Sequence, residues 1–185
     1  RGFNPEKEKK AIGLGLMGNA FYVVYAIEHF SMGAGSLGVF SMVLLFSQSL
    51  IGLLWGTLGD RFGYKKVLLG AAGLIGLQAA VALLARTGWQ FFGIAIFMGG
   101  FYAAANHADS NLVFEIVPPR ETSRYIGIAN TLLGPVYALA SLLGGLLVES
   151  FSHQALFVAV LVLAVVGLLA AWKWMVEPRR QGGEA

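Results

Sequence analysis

Cysteine is absent from the 185 residues, so neither a disulfide nor a thiolate-held metal organises this chain. Charge is nearly as scarce: Asp, Glu, Lys and Arg make up 12% of the sequence, where a soluble domain carries about 25%. Three histidines are present, scattered among few acidic residues. No phosphate-cradling glycine loop, no metal-ligand spacing and no Ser-His-Asp arrangement occurs. These absences argue against an enzyme, a metal centre or a bound cofactor. A net charge of +3 is too small to mark a nucleic-acid partner, and none is expected. The chain opens on a charged run, not on the apolar core of a cleavable signal sequence. Its first residue is Arg1 and not Met, as expected of a chain lacking its native start.

What is abundant is apolar. Hydrophobic residues make up 57%, mean hydropathy is +0.69, and there are 25 glycines. Small residues let membrane helices approach closely, so this is the composition of an integral membrane protein, with the lipid bilayer as its surroundings. Six apolar windows of about bilayer length follow at 11–30, 37–58, 67–85, 89–117, 125–148 and 154–176. Glycine and serine at 31–36, the pair Pro118-Pro119, and Glu149 to His153 punctuate them. Pro135 falls inside the fifth window, where it removes a backbone hydrogen bond and is expected to bend the helix.

Basic residues set the orientation. Lys7, Lys9, Lys10, Arg61, Lys65, Lys66, Arg120, Arg124, Lys173, Arg179 and Arg180 all fall on one side under a six-span count, and Arg86 alone on the other. The positive-inside rule then makes both termini cytoplasmic, in a multi-pass protein of the plasma membrane, the inner membrane of a bacterial cell. An offset of 89 residues registers the first three windows on the last three. It lays Gly56, Leu58, Asp60 and Phe62 on Gly145, Leu147, Glu149 and Phe151. Three spans per unit is an odd number, so the two units (about 11–85 and 89–176) must enter the membrane in opposite directions.

The densest feature is the run from Gly56 to Lys66, read as a charged turn between the second and third spans. Its pattern G-x-x-x-D-R-x-G-x-[KR]-[KR], carried by Gly56, Asp60, Arg61, Gly63, Lys65 and Lys66, resembles the signature loop of the major facilitator superfamily of secondary transporters. Tyr64 stands where that family most often has Arg. The resemblance implies an all-α membrane protein with six transmembrane helices in an inverted 3+3 repeat, half of the family's twelve-helix fold. Residues 1–10 then form the cytoplasmic loop between halves, 11–176 the six-helix unit, and 177–185 a tail. The charged opening, the tail and the lack of an Arg at the start of the fourth span favour the C-terminal half. The resemblance also implies alternating access, in which the half rocks against a missing N-terminal six-helix half around a small-molecule solute.

Roles follow for particular residues. Gly56, Gly59, Asp60, Arg61, Gly63, Lys65 and Lys66 are assigned to gating of the cytoplasmic side. The plainer reading makes Arg61, Lys65 and Lys66 topology determinants only. In the family the first and fourth helices of each half line the central cavity. Here polar residues recur at helical steps on both: Asn19, Tyr22, Tyr25 and His29 on the first, Tyr102, Asn106 and Asp109 on the fourth. Asn19, Tyr22, Tyr25, Tyr102, Asn106 and Asp109 are the expected solute contacts; interhelical hydrogen bonding is the competing explanation. Asp109, Glu28 and His107 are candidates for proton coupling, because an apolar cavity raises a carboxyl pKa toward neutrality. Glu28 equally fits a hydrated place at the outer surface. Gly134-Pro135 and Gly144-Gly145 depart in spacing from the family's antiporter motif, so antiport is not inferred. Two other readings stand beside the transporter half: a six-helix unit acting as a homodimer, and a membrane sensor or scaffold that moves no solute.

Overall fold

The computed structural model describes residues 18–116 and 122–174. Among these the chain forms six α-helices: α1 (Asn19–Phe30), α2 (Ala34–Phe62), α3 (Tyr64–Leu84), α4 (Phe91–Ile116), α5 (Thr122–Ser150) and α6 (His153–Trp174). A 3-10 turn, Gly88–Gln90, leads into α4. The Gln90 side chain closes that link, its Oε1 accepting the backbone N–H groups of Arg86 at 2.7 Å and Thr87 at 3.3 Å.

Three stretches are long and apolar enough to cross a membrane by length and composition: Ala34–Arg61, Lys66–Leu84 and Gly88–Asn106. Two shorter apolar helices, Gly134–Ser150 and His153–Leu169, accompany them. The links are tighter than the sequence suggests. The run read as a charged turn is helical on both sides, and Gly63 alone separates α2 from α3. The physical reason is length. At about 1.5 Å per residue, 29 residues reach roughly 44 Å, well beyond a hydrocarbon core of about 30 Å. Charged residues can therefore sit on helical turns that project past the lipid, with no loop needed to hold them. Glu149 likewise belongs to the last turn of α5, not to a link.

The core is built from stripes of three- and four-residue spacing. Val67, Ala71, Ile75, Ala79 and Ala82 are buried on α3; Phe91, Ile94, Met98 and Phe101 on α4; Leu156, Phe157, Val160 and Ala164 on α6. Helix α4 packs against both α2 and α3, and α3 packs in turn on α6. Much of α3's buried stripe is alanine, so the backbones approach closely, as membrane helices do where burial of oil in oil supplies no drive. The outward faces are apolar too: Met42, Phe46 and Leu53 on α2 are each more than 70% exposed. In water such a face would be an association hazard; in a bilayer it is the ordinary surface.

Trp55 locks three helices together. Its ring lies against Gly70 of α3, and its indole N–H donates to the Gly100 carbonyl of α4 at 2.9 Å. Interhelical hydrogen bonds of this kind contribute about 0.5–1.5 kcal/mol. Trp55→Phe should lower the unfolding free energy in detergent by about that amount, read from denaturant titration. An unchanged midpoint would show the bond to contribute nothing.

Candidate functional site

The polar residues of α1 and α4 meet at one point. Asn19 Nδ2 donates to Tyr102 Oη at 3.2 Å, a part-buried bond that ties the start of α1 to the middle of α4. Asn106, one turn beyond Tyr102, is exposed. His107 and Asp109 follow on the same helix, their side chains outside the described residues.

Tyr22 and Tyr25 do not share that seam. Tyr22 is 1% exposed and stacks on Phe157 of α6, ring centroids 5.0 Å apart. Tyr25 lies within 6 Å of the rings of His29, Phe30, Phe91, His153 and Phe157. The geometry of the helix explains the split. Each three-residue step falls about 60° short of a full turn, so two in succession carry Tyr25 roughly 120° around from Asn19. What reads as one stripe is a polar seam facing α4 and an aromatic anchor facing α6. The Tyr22 hydroxyl is buried without a hydrogen-bond partner among the described residues.

The signature segment forms the second site. Gly59 is buried; Asp60 and Arg61 are exposed in the last turn of α2, and Lys66 is exposed in the first turn of α3. The side chain of Lys65 lies outside the described residues. Arg61 complements the negative end of its own helix, and Asp60 stands within a turn of the positive start of α3. Gly63 makes the corner with φ 85° and ψ 154°, its N–H donating to the Gly59 carbonyl at 2.9 Å.

The third place is the opposite end of the bundle. Glu28 Oε2 lies 3.7 Å from His153 Nε2, with the carboxylate side chain 54% exposed and the imidazole 12% exposed. His153 closes the link ahead of the apolar run of α6.

Sequence reasoning passed over Trp55, Gln78 and His153. Trp55 stands one residue ahead of the signature segment and three residues from the end of the 37–58 window, where an indole reads as one more interfacial anchor. Gln78 is an amide inside the third apolar run and is wholly buried. His153 carried no signal, because its neighbours in space come from the first helix.

Apolar helices of membrane length, joined by a polar seam and turning on a charged glycine corner, define a helical multi-pass membrane protein. The family model for the Major Facilitator Superfamily matches residues 11–185, and the chain belongs to that superfamily of transporters. Among its relatives is a Na(+), Li(+), K(+)/H(+) antiporter of Planococcus maritimus, 27% identical over 158 residues that make up 80% of this chain and 36% of the relative. The multidrug resistance protein MdtG of Yersinia enterocolitica is 28% identical over 159 residues, again 80% of this chain and 36% of the relative. MdtG of Escherichia coli is 32% identical over 139 residues, 70% of this chain and 31% of the relative. The chain thus spans about a third of the length of the curated relatives it matches.

Proposed function

We propose that this chain is one six-helix half, the C-terminal one, of a secondary transporter that moves a small solute across the plasma membrane by alternating access. All six helices span the bilayer as two inverted three-helix units, with both termini cytoplasmic. The half rocks against an N-terminal half around a midplane site. The observation that carries the reading is the Asn19–Tyr102 hydrogen bond, which joins polar residues of α1 and α4 with Asn106 exposed beside it. Polar groups between apolar helices are costly unless they pair or face a cavity; Asn19 and Tyr102 pair with each other, and the exposed Asn106 beside them is the group open to a solute.

In this reading Asn19, Tyr102, Asn106 and Asp109 contact the solute, and Tyr22 and Tyr25 stand behind them. Asp109, His107 and Glu28 are the groups offered for proton coupling. Gly56, Gly59, Asp60, Arg61, Gly63, Lys65 and Lys66 hold the cytoplasmic side closed. The uncharged character of the seam supports a neutral or cationic solute. An antiporter of alkali cations among the relatives supports the same preference.

The test uses the full-length protein in proteoliposomes, with sodium and the cationic dye ethidium as probes. Asp60→Asn and Asp109→Asn should each lower flux by about tenfold or more, equivalent to about 1.4 kcal/mol. Flux unchanged by both substitutions, where the parent protein is active, would overturn the assignment.

A further inference from the structure

At the end of the bundle opposite the signature corner, Glu28, offered above for proton coupling, stands beside two histidines that have no part in that reading. Glu28 and His29 occupy the last turn of α1, and His153 is the first residue of α6. One ligand atom from each lies within 4.8 Å of the other two, and Glu28 Oε2 to His153 Nε2 is 3.7 Å. We propose that Glu28, His29 and His153 form a site for a divalent transition cation of the zinc type, clamping the end of α1 to the start of α6.

The donor set selects the ion. Two imidazole nitrogens and one carboxylate are the three-ligand complement of an open zinc site, with water in the fourth position. Calcium and magnesium favour six or more oxygen ligands, and a single carboxylate does not supply them. The geometry needs little adjustment. Tetrahedral zinc with bonds of about 2.0–2.1 Å holds its ligand atoms roughly 3.3 Å apart. The 3.7 Å pair is already near that separation. Glu28 is an exposed side chain free to turn the remaining distance, and both it and His29 are open to an arriving ion.

Three further features favour a cation here. His153 Nε2 is buried and has no hydrogen-bond donor or acceptor among the described residues; Glu28 is its neighbour at ion-pair distance. A nitrogen held this way is costly to bury and is satisfied by a metal. The imidazoles are also held in place. Tyr25 stacks on His29 at 4.0 Å between centroids and lies 5.3 Å from His153, so one buried ring supports both ligands from behind. Such support fixes ring orientation, as it does around metal-bound histidines generally. Finally, α1 ends here with the negative end of its dipole, and α6 begins here with its positive end. The first attracts a cation, and the Glu28 carboxylate beside His153 offsets the second.

The proposal does not depend on transport, so its test is binding. Full-length, tag-free protein in detergent is stripped with chelator and titrated with Zn2+ by calorimetry and with Co2+ by absorption. The parent protein should take up one equivalent that Glu28→Gln and His29→Gln each weaken by at least about tenfold, with loss of the intense d–d bands of tetrahedral Co2+. Zn2+ should also raise the unfolding midpoint of the parent and not of Glu28→Gln. Both substitutions fall on exposed positions, so folding is not at risk; His153→Gln, nearer the core, is the confirming third. Zn2+ uptake equal in parent and both variants, or no uptake at all, would overturn the site.

Discussion

Gly99→Ala should be among the most damaging single-methyl changes in this protein. A Cβ at position 99 would lie 2.4 Å from the Leu44 carbonyl oxygen and 2.8 Å from the Gln48 nitrogen. Both are backbone atoms of α2, so no side chain can swing aside. The helices α2 and α4 cross there backbone to backbone, with Ser47 buried beside them. Alanine in a helix gains about 1 kcal/mol over glycine. Overpacking against a fixed wall costs about 1–3 kcal/mol and more where nothing can yield, so the wall wins. The expected net loss is about 2 kcal/mol for Gly99→Ala, with Gly99→Val failing to give monodisperse folded protein. Gly73→Ala is the control, since nothing lies within 4 Å of its added carbon. It should be neutral or stabilising by up to about 1 kcal/mol. Equal unfolding midpoints for Gly99→Ala and Gly73→Ala would sink the argument.

That contrast shows what the sequence could and could not say. Twenty-five glycines in an apolar chain announce close helix packing, but not which glycine meets a backbone. The choice of Gly99 and of Gly70, which faces Trp55, is made by three-dimensional crossing points that periodicity does not encode. The helices themselves were legible, because long apolar runs have few alternatives at membrane length. Their ends were less so. Charged residues were read as loop, whereas α2 carries Asp60 and Arg61 on a helical turn. The membrane family was legible from six residues of one motif, and the match over residues 11–185 agrees with it.

The candidate sites divide the same way. Polar residues on α1 and α4 were read as solute contacts, with interhelical hydrogen bonding as the alternative, and the Asn19–Tyr102 bond is an interaction of the second kind. The side-chain steps of three that also took in Tyr25 rotate it away, which a count of spacings without angles conceals. The Glu28, His29 and His153 group had no spacing to read. Its members come from the first and last helices, and only the packing of α1 on α6 through Tyr22 and Phe157 brings them within reach.

Gly63→Ala should cost both stability and transport, and the two losses have one cause. Gly63 is the sole residue between a helix of 29 residues and one of 21. Its φ of 85° with ψ of 154° lies in a region open in practice to glycine alone. A side chain there strains the corner by about 1–3 kcal/mol, against an unfolded-state gain of about 0.4–1 kcal/mol. The corner also fixes the separation of Asp60 and Arg61, at the end of α2, from Lys66 at the start of α3. Relief of the strain requires the corner to open or the two helices to run on together, and either displaces those charges. The expected result is a loss of about 1–2 kcal/mol in detergent, with flux in proteoliposomes falling by more than the folded fraction explains. Gly73→Ala, with the same chemistry and open space, should leave both readings unchanged or improved. If Gly63→Ala transports in proportion to its folded fraction, the corner is structural only, and the gating role passes to the charged residues on either side.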